Sequence, residues 1–341
     1  MNFPFRGAQS VVHLLALVAV SILVATPHAT AESGAHIVTR GPGTGRSVEI
    51  TVHSPSMQRD IAVRVLRPAD TATPAPTLYL LNGAGGGEDA ASWSAQTDIT
   101  DFFADKHVNV VIPQEGAFSY YTDWQQTDDG LAEHLENNGR NMWSTFLTEE
   151  LPPVIDSTFA GTGANAIAGI SMAATSVLDL TVRAPHLYRA AAAYSGCAMT
   201  SDPLGQLFVT LVVGLGGGDA ENMWGPTGGP GWREHDPYVQ AHRLPDIPMY
   251  ISSGTGLPGR YDTADNPRLR GDNRLLWNQL LVGGGIEAVT DYCTRALQRR
   301  TQELGRTDIV YDLRPAGTHS WGYWEDDLHR SWPLLAAALT S

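Results

Sequence analysis

The chain has 341 residues, of which 17 % are charged, and a net charge of −14. A nucleic-acid partner wants a basic face, and no basic run appears, so that class of partner is excluded. The length suits one large domain or two ordinary ones and is ample for a core. With 35 glycines, 21 prolines and few charges, the chain reads as globular with long ordered loops.

The first thirty or so residues carry the pattern of a cleavable secretion signal. Arg6 is the positive start, Val11 to Ala25 is the apolar stretch, and Ala29-Thr30-Ala31 is an A-x-A site. The apolar stretch is short for a membrane anchor, which needs about 20 apolar residues. Cleavage after Ala31 is expected, giving a secreted or envelope-associated protein without a transmembrane segment. Residues 32–46 read as a polar tail, and 47–341 as one α/β domain.

Two β-rich runs, 48–52 and 61–65, flank Ser54-Pro55-Ser56 and predict a hairpin or bent edge pair. Short apolar runs follow at 77–81, 108–113, 166–169, 190–194, 249–254 and 309–313, with helices at 143–155, 172–183 and 287–304. Continuous apolar strands alternating with helices predict a mostly parallel sheet covered on both faces. Residues 203–245 and 255–285 interrupt the alternation and read as insertions above the sheet. Within the first, 207–213 reads either as the lining of an acyl groove or as a core helix. Cys197 and Cys293 suggest one disulfide in an exported chain, the alternative being two buried thiols. Neither has a Cys or His at ligand spacing, so no metal is expected. The Gly-rich run 83–87 lacks the Gly-Lys-Ser/Thr of a phosphate loop, and no cofactor is expected.

The chemistry concentrates at Gly169-Ile170-Ser171-Met172-Ala173. A Gly-x-Ser-x-small run between a buried strand and a helix predicts a nucleophile elbow. Small residues let strand and helix pack closely, and the serine hydroxyl stands at the helix N-terminus. The Met172 N–H is then placed to bind an oxyanion, and the second donor is expected from Ala84, in the loop after 77–81. In this fold the acid and then the histidine follow the serine. Five histidines do: His186, His235, His242, His319 and His329. His319, in a loop just after the last strand, is the one placed to reach the serine. For the acid, Asp262, Asp265 and Asp272 follow strand 249–254 and Glu287 opens a helix. Spacing alone leaves the four open.

Several runs resemble the secreted mycolyltransferases of the antigen 85 type. They are Ser54 to Ile61, Leu78 to Gly83, Tyr121 to Trp124, Trp143 to Pro152, Gly169 to Ala173, Asn222-Met223-Trp224-Gly225-Pro226 and Gly317 to Trp324. The resemblance spans about residues 48–324, in order. It implies an α/β-hydrolase fold and a Ser–Glu–His triad of Ser171, Glu287 and His319, with Ala84 as an oxyanion donor. It implies transfer of a mycolyl group from trehalose monomycolate to a second trehalose monomycolate, to arabinogalactan or to protein. Asn82 and Gly85 stand at the family's sugar-site Asp and Arg positions and, with Trp321, are the expected substrate contacts. The cysteine pair and residues 255–285 depart from the family pattern. A carboxylesterase with the same triad, or a non-catalytic wall- or matrix-binding member, are the rival readings.

Overall fold

The computed structural model describes residues 34–41 and 45–341. The expected signal segment lies outside them. Nine strands form one sheet: β1 His36–Arg40, β2 Ser47–Ser54, β3 Arg59–Leu66, β4 Ala75–Leu81, β5 Asn109–Pro113, β6 Gly161–Ile170, β7 Tyr188–Tyr194, β8 Met249–Ser253 and β9 Ile309–Leu313. Their order is β1-β2-β3-β5-β4-β6-β7-β8-β9. The first three pair antiparallel with each other and onto β5. From β5 to β9 every pairing is parallel.

Strand β1 corrects the reading of 32–46 as a tail. It pairs antiparallel with β2 at the sheet edge. Its one apolar pair, Ile37-Val38, is too short to reveal a period of two, and Val38 is exposed.

Side chains alternate across the parallel strands, and both faces are covered. Tyr79, Leu81, Ile167 and Ala191 point into one core, whereas Leu78, Leu80, Ala166 and Ala192 point into the other. Five helices shape the site and its surroundings: α1 Leu151–Phe159, α2 Met172–Arg183, α3 Pro203–Leu215, α4 Gly284–Glu303 and α5 Trp321–Thr340. The expected helix at 143–155 is found, but Phe146–Glu150 forms a π-helical turn before α1. Helix α5 has no counterpart in the sequence reading, because Pro333 interrupts its pattern and yet is accommodated inside it.

The chain leaves β4 with β5 on one side and β6 on the other. Loops leaving β4 and β6 therefore diverge, which opens a crevice at the carboxyl ends of these strands. The segments 203–245 and 255–285 belong to the same compact unit, 34–341.

Candidate active site

Ser171 caps α2 with φ 55° and ψ −122°, a conformation a side chain rarely adopts. Its backbone is pinned on both sides. The Ser171 N–H donates to the Tyr194 carbonyl at 2.8 Å, and its carbonyl accepts from Ala174 N–H at 3.0 Å. Gly169 explains the need for small residues: a Cβ there would stand 2.9 Å from that of Ala173.

His319 Nε2 lies 2.8 Å from Ser171 Oγ, and its Nδ1 lies 2.7 Å from Glu287 Oε2. The carboxylate fixes the tautomer: Nδ1–H donates to Glu287, and Nε2 is left to accept from the serine. Glu287 is wholly buried. Its other oxygen, Oε1, accepts from the Ser195 hydroxyl at 2.8 Å and the Gly254 N–H at 2.6 Å. Burial pushes this carboxyl up, but the His319 hydrogen bond and charge, with those two donors, outweigh it and hold it below its usual value.

The His319 loop is held from several sides. The His319 N–H donates to the Gly283 carbonyl at 3.2 Å. Trp324 meets the imidazole edge-on at 4.8 Å and donates its indole N–H to Ser195 Oγ at 3.1 Å. Asp262 is no triad acid. It accepts from the Thr318 and Tyr323 hydroxyls, from Gly259 N–H and from the Gln279 amide, and so anchors the loop beneath His319. Asp265 is exposed, and Asp272 caps the short helix Asn273–Asn278. Of the other histidines, His235 is held by Asp179 and stacked on Trp224. His329 pairs with Asp98, while His186 and His242 are exposed.

The loop after β4 lies against the serine: a Cβ on Gly83 would stand 3.5 Å from Ser171 Cβ. Among the described residues, neither the Ala84 N–H nor the Met172 N–H has a hydrogen-bond partner, and Met172 opens α2, where first-turn donors are left over. Two unspent donors beside a strained serine, with an imidazole and a buried carboxylate in line, are the parts that covalent acyl transfer requires.

Comparison with known proteins agrees. A family model described as "Putative esterase" matches residues 54–335. The chain is 32 % identical over 326 residues to the diacylglycerol acyltransferase/mycolyltransferase Ag85A of Mycobacterium tuberculosis, covering 94 % of this chain and 88 % of the relative. It is 30 % identical to Ag85C of Mycobacterium avium, covering 98 % and 90 %. The chain belongs to the mycolyltransferase family of the antigen 85 type. It is an acyltransferase-family enzyme. The fold matches Mycobacterium tuberculosis MPT51 with a TM-score of 0.68 at 23 % identity, over 88 % of this chain and all of that one. An S-formylglutathione hydrolase from Agrobacterium tumefaciens matches at 0.60 with 15 % identity, over 88 % and 99 %.

Within this antigen 85-type chain, the expected substrate contacts need correction. Asn82 offers no surface to a ligand. It is fully buried, with its amide donating to the Gly86 and Pro113 carbonyls and its oxygen accepting from Trp93 N–H. It shapes the loop from within. At Gly85 the Asp89 carboxylate fills the space a side chain would take. Trp321 remains partly exposed and packs edge-on against Trp93 and Trp324.

A cavity of about 50 Å³ opens beside Ser171 and His319, walled by Phe208, Val209 and Val212 of α3, by Ile286, and by Cys197. Cys197 and Cys293 form a disulfide. Sequence reasoning missed Ser195 and Trp324. Ser195 follows directly on β7, the strand beside β6, and that placement was the available signal.

Proposed function

We propose that this chain transfers a mycolyl, or comparable long-chain acyl, group from trehalose monomycolate to a sugar hydroxyl through an acyl-enzyme on Ser171. The acceptor is a second trehalose monomycolate or arabinogalactan, and the setting is cell-envelope biogenesis after export. The observation that carries this reading is the hydrogen-bonded line Ser171–His319–Glu287.

His319 Nε2 takes the Ser171 proton as Oγ attacks the ester carbonyl of the donor. The Met172 and Ala84 N–H groups bind the oxyanion, and Glu287 stabilises the imidazolium. The intermediate collapses, the acyl–oxygen bond of the donor breaks, and trehalose leaves with the proton from His319. An acceptor hydroxyl then gives its proton to His319 and attacks the acyl-enzyme. The same oxyanion donors serve again, and Ser171 regains its proton. Transfer outruns hydrolysis when the acceptor fills the site and keeps water out.

The chain without residues 1–31 is incubated with trehalose monomycolate and the products are followed. Dimycolate that vanishes in Ser171→Ala is the expected result. Free acid as the sole product makes the chain an esterase. No turnover, with inertness to serine-directed phosphonates, leaves a binding protein.

A further inference from the structure

Behind the Glu287 carboxylate lies a buried ion pair that the acyl-transfer steps do not use. Arg314 is the first residue after β9 and opens the loop that carries His319. Asp327 lies on α5, just beyond that loop, and is wholly buried. One guanidinium nitrogen, Nη1, donates to Asp327 Oδ1. The other terminal nitrogen, Nη2, lies 4.0 Å from Glu287 Oε1. Neither Nη2 nor Nε has a hydrogen-bond partner, although both are buried. Oε1 already accepts from Ser195 and Gly254, so Nη2 acts on it through space and not by a hydrogen bond.

We infer that Arg314 and Asp327 are positioning residues that set the proton affinity of His319 through Glu287: Arg314 offsets part of the carboxylate's charge, and Asp327 limits how much. This rests on the Ser171–His319–Glu287 triad. The cation reaches both carboxylates from one buried position. Its pull on Glu287 is therefore strong when Asp327 is neutral and weak when Asp327 is charged. The stronger that pull, the less Glu287 stabilises an imidazolium on its other oxygen. Burial pushes the Asp327 carboxyl up, and the charge of Arg314 and the Ser252 hydroxyl oppose that.

Other charged groups near this network are already matched. Asp312 on β9 accepts from the Tyr250 hydroxyl at 2.6 Å and from Arg330 at 2.9 Å. Asp262 is spent on the His319 loop. Tyr194, which faces Asp327, bonds the Ser331 hydroxyl. The Tyr323 ring lies under the Arg314 guanidinium at 5.5 Å, and the buried Ser252 hydroxyl faces Asp327 and favours its charged form. Of these carboxylates Asp327 is the one hydrogen-bonded to the cation that faces Glu287, whereas Asp312 feels Arg314 only through space.

The test is the pH dependence of cleavage of a short nitrophenyl ester, which needs no acyl acceptor. Asp327→Asn should move the acid limb of kcat/KM downward by about 0.5–1 pH unit. Adding Arg314→Gln removes the freed cation and should bring the limb back towards the wild-type position. Asp327→Ser removes the same charge in a smaller side chain and carries the same prediction if the Asn variant does not fold. Activity losses that add up in the double variant, with the limb unmoved, would make the pair a scaffold only and overturn the inference. A wild-type chain with no Ser171-dependent cleavage would instead sink the triad reading beneath it.

Discussion

Ser195 donates its hydroxyl to Glu287 on the oxygen opposite the one that faces His319. The carboxylate is thus fixed from both ends, and the imidazole inherits its orientation. Removing a hydrogen bond to a buried charge costs about 1.5–3 kcal/mol. Ser195→Ala should therefore lower kcat by roughly 10- to 100-fold with little change in KM. A stability effect accompanies it. The folded Glu287 carboxyl lies below its ordinary value of 4.5, so it contributes stability above that pH and loses it as pH falls through the folded value. Without Ser195 the folded value rises, and acid unfolding should begin at a higher pH. Urea midpoints measured across the acid range check this, and an unchanged acid transition would count against it.

Two neighbouring glycines in the loop after β4 should behave differently. Gly86 has φ +64°, and a Cβ there would press on the Ala117 backbone nitrogen. That backbone cannot retreat, because Glu88 accepts from Gly116 and Ala117, and Phe118 N–H donates to the Ala84 carbonyl. Gly86→Ala should displace Ala84 and, if that oxyanion donor is lost, lower kcat by about 10²–10³. At Gly85 the obstacle is only the end of the exposed Asp89 side chain, which can swing away. Gly85→Ala should stay close to wild type. Equal losses at both positions would mean that the loop does not place an oxyanion donor.

The disulfide joins two segments that meet at Glu287. Cys197 follows Ser195 by two residues, and Cys293 lies on α4, the helix that carries Glu287. It closes a loop of 96 residues, for which chain entropy predicts roughly 4–5 kcal/mol. A Cys197→Ser/Cys293→Ser variant should show a lower urea midpoint. Assayed under conditions where it stays folded, it should lose kcat more than it gains KM, since α4 is freed near Glu287. A loss of stability with kcat intact would restrict the bridge to the fold.

Much of this was legible in the chain itself, for identifiable reasons. The buried centres of β4, β6 and β7 (78–81, 166–170 and 190–194) are continuous apolar runs because both faces are covered, so they stand out. Ser171 stands out because a strained turn needs small residues on either side. His319 follows from loop position after the last strand. Glu287 did not follow from spacing: of the carboxylates between β8 and β9, four stood as candidates, and only their burial and hydrogen-bond partners together separate them. Asp262, the rival best placed by loop position, is also buried, but its oxygens are spent on Thr318, Tyr323, Gly259 and Gln279. Asn82 was misplaced because its site is fixed by Trp93 N–H, 11 residues on, and no local pattern marks that contact.

Helix α3 was open between acyl groove and core helix, and it presents both kinds of face. Val209 and Val213 are buried in the core, Phe208 and Val212 wall the cavity beside Ser171, and Leu207, Leu211 and Leu215 are exposed at 52 %, 55 % and 71 %. A space of about 50 Å³ holds only the first carbons of an acyl chain. A longer chain must leave past Phe208 and Val212, and the leucine ridge at four-residue spacing offers it a continuous apolar path. Burying one methylene is worth about 0.8 kcal/mol, or roughly fourfold in kcat/KM. In the wild type, kcat/KM should therefore climb with ester chain length well past acetyl. Val212→Trp should block the exit, leaving acetyl ester cleavage near wild type while flattening the climb. Leu211→Asp should weaken the longer esters alone, because its position lies beyond the cavity. If Val212→Trp lowers acetyl and dodecanoyl esters by the same factor, the chain does not run along α3, and the cavity serves only to seat the scissile carbonyl.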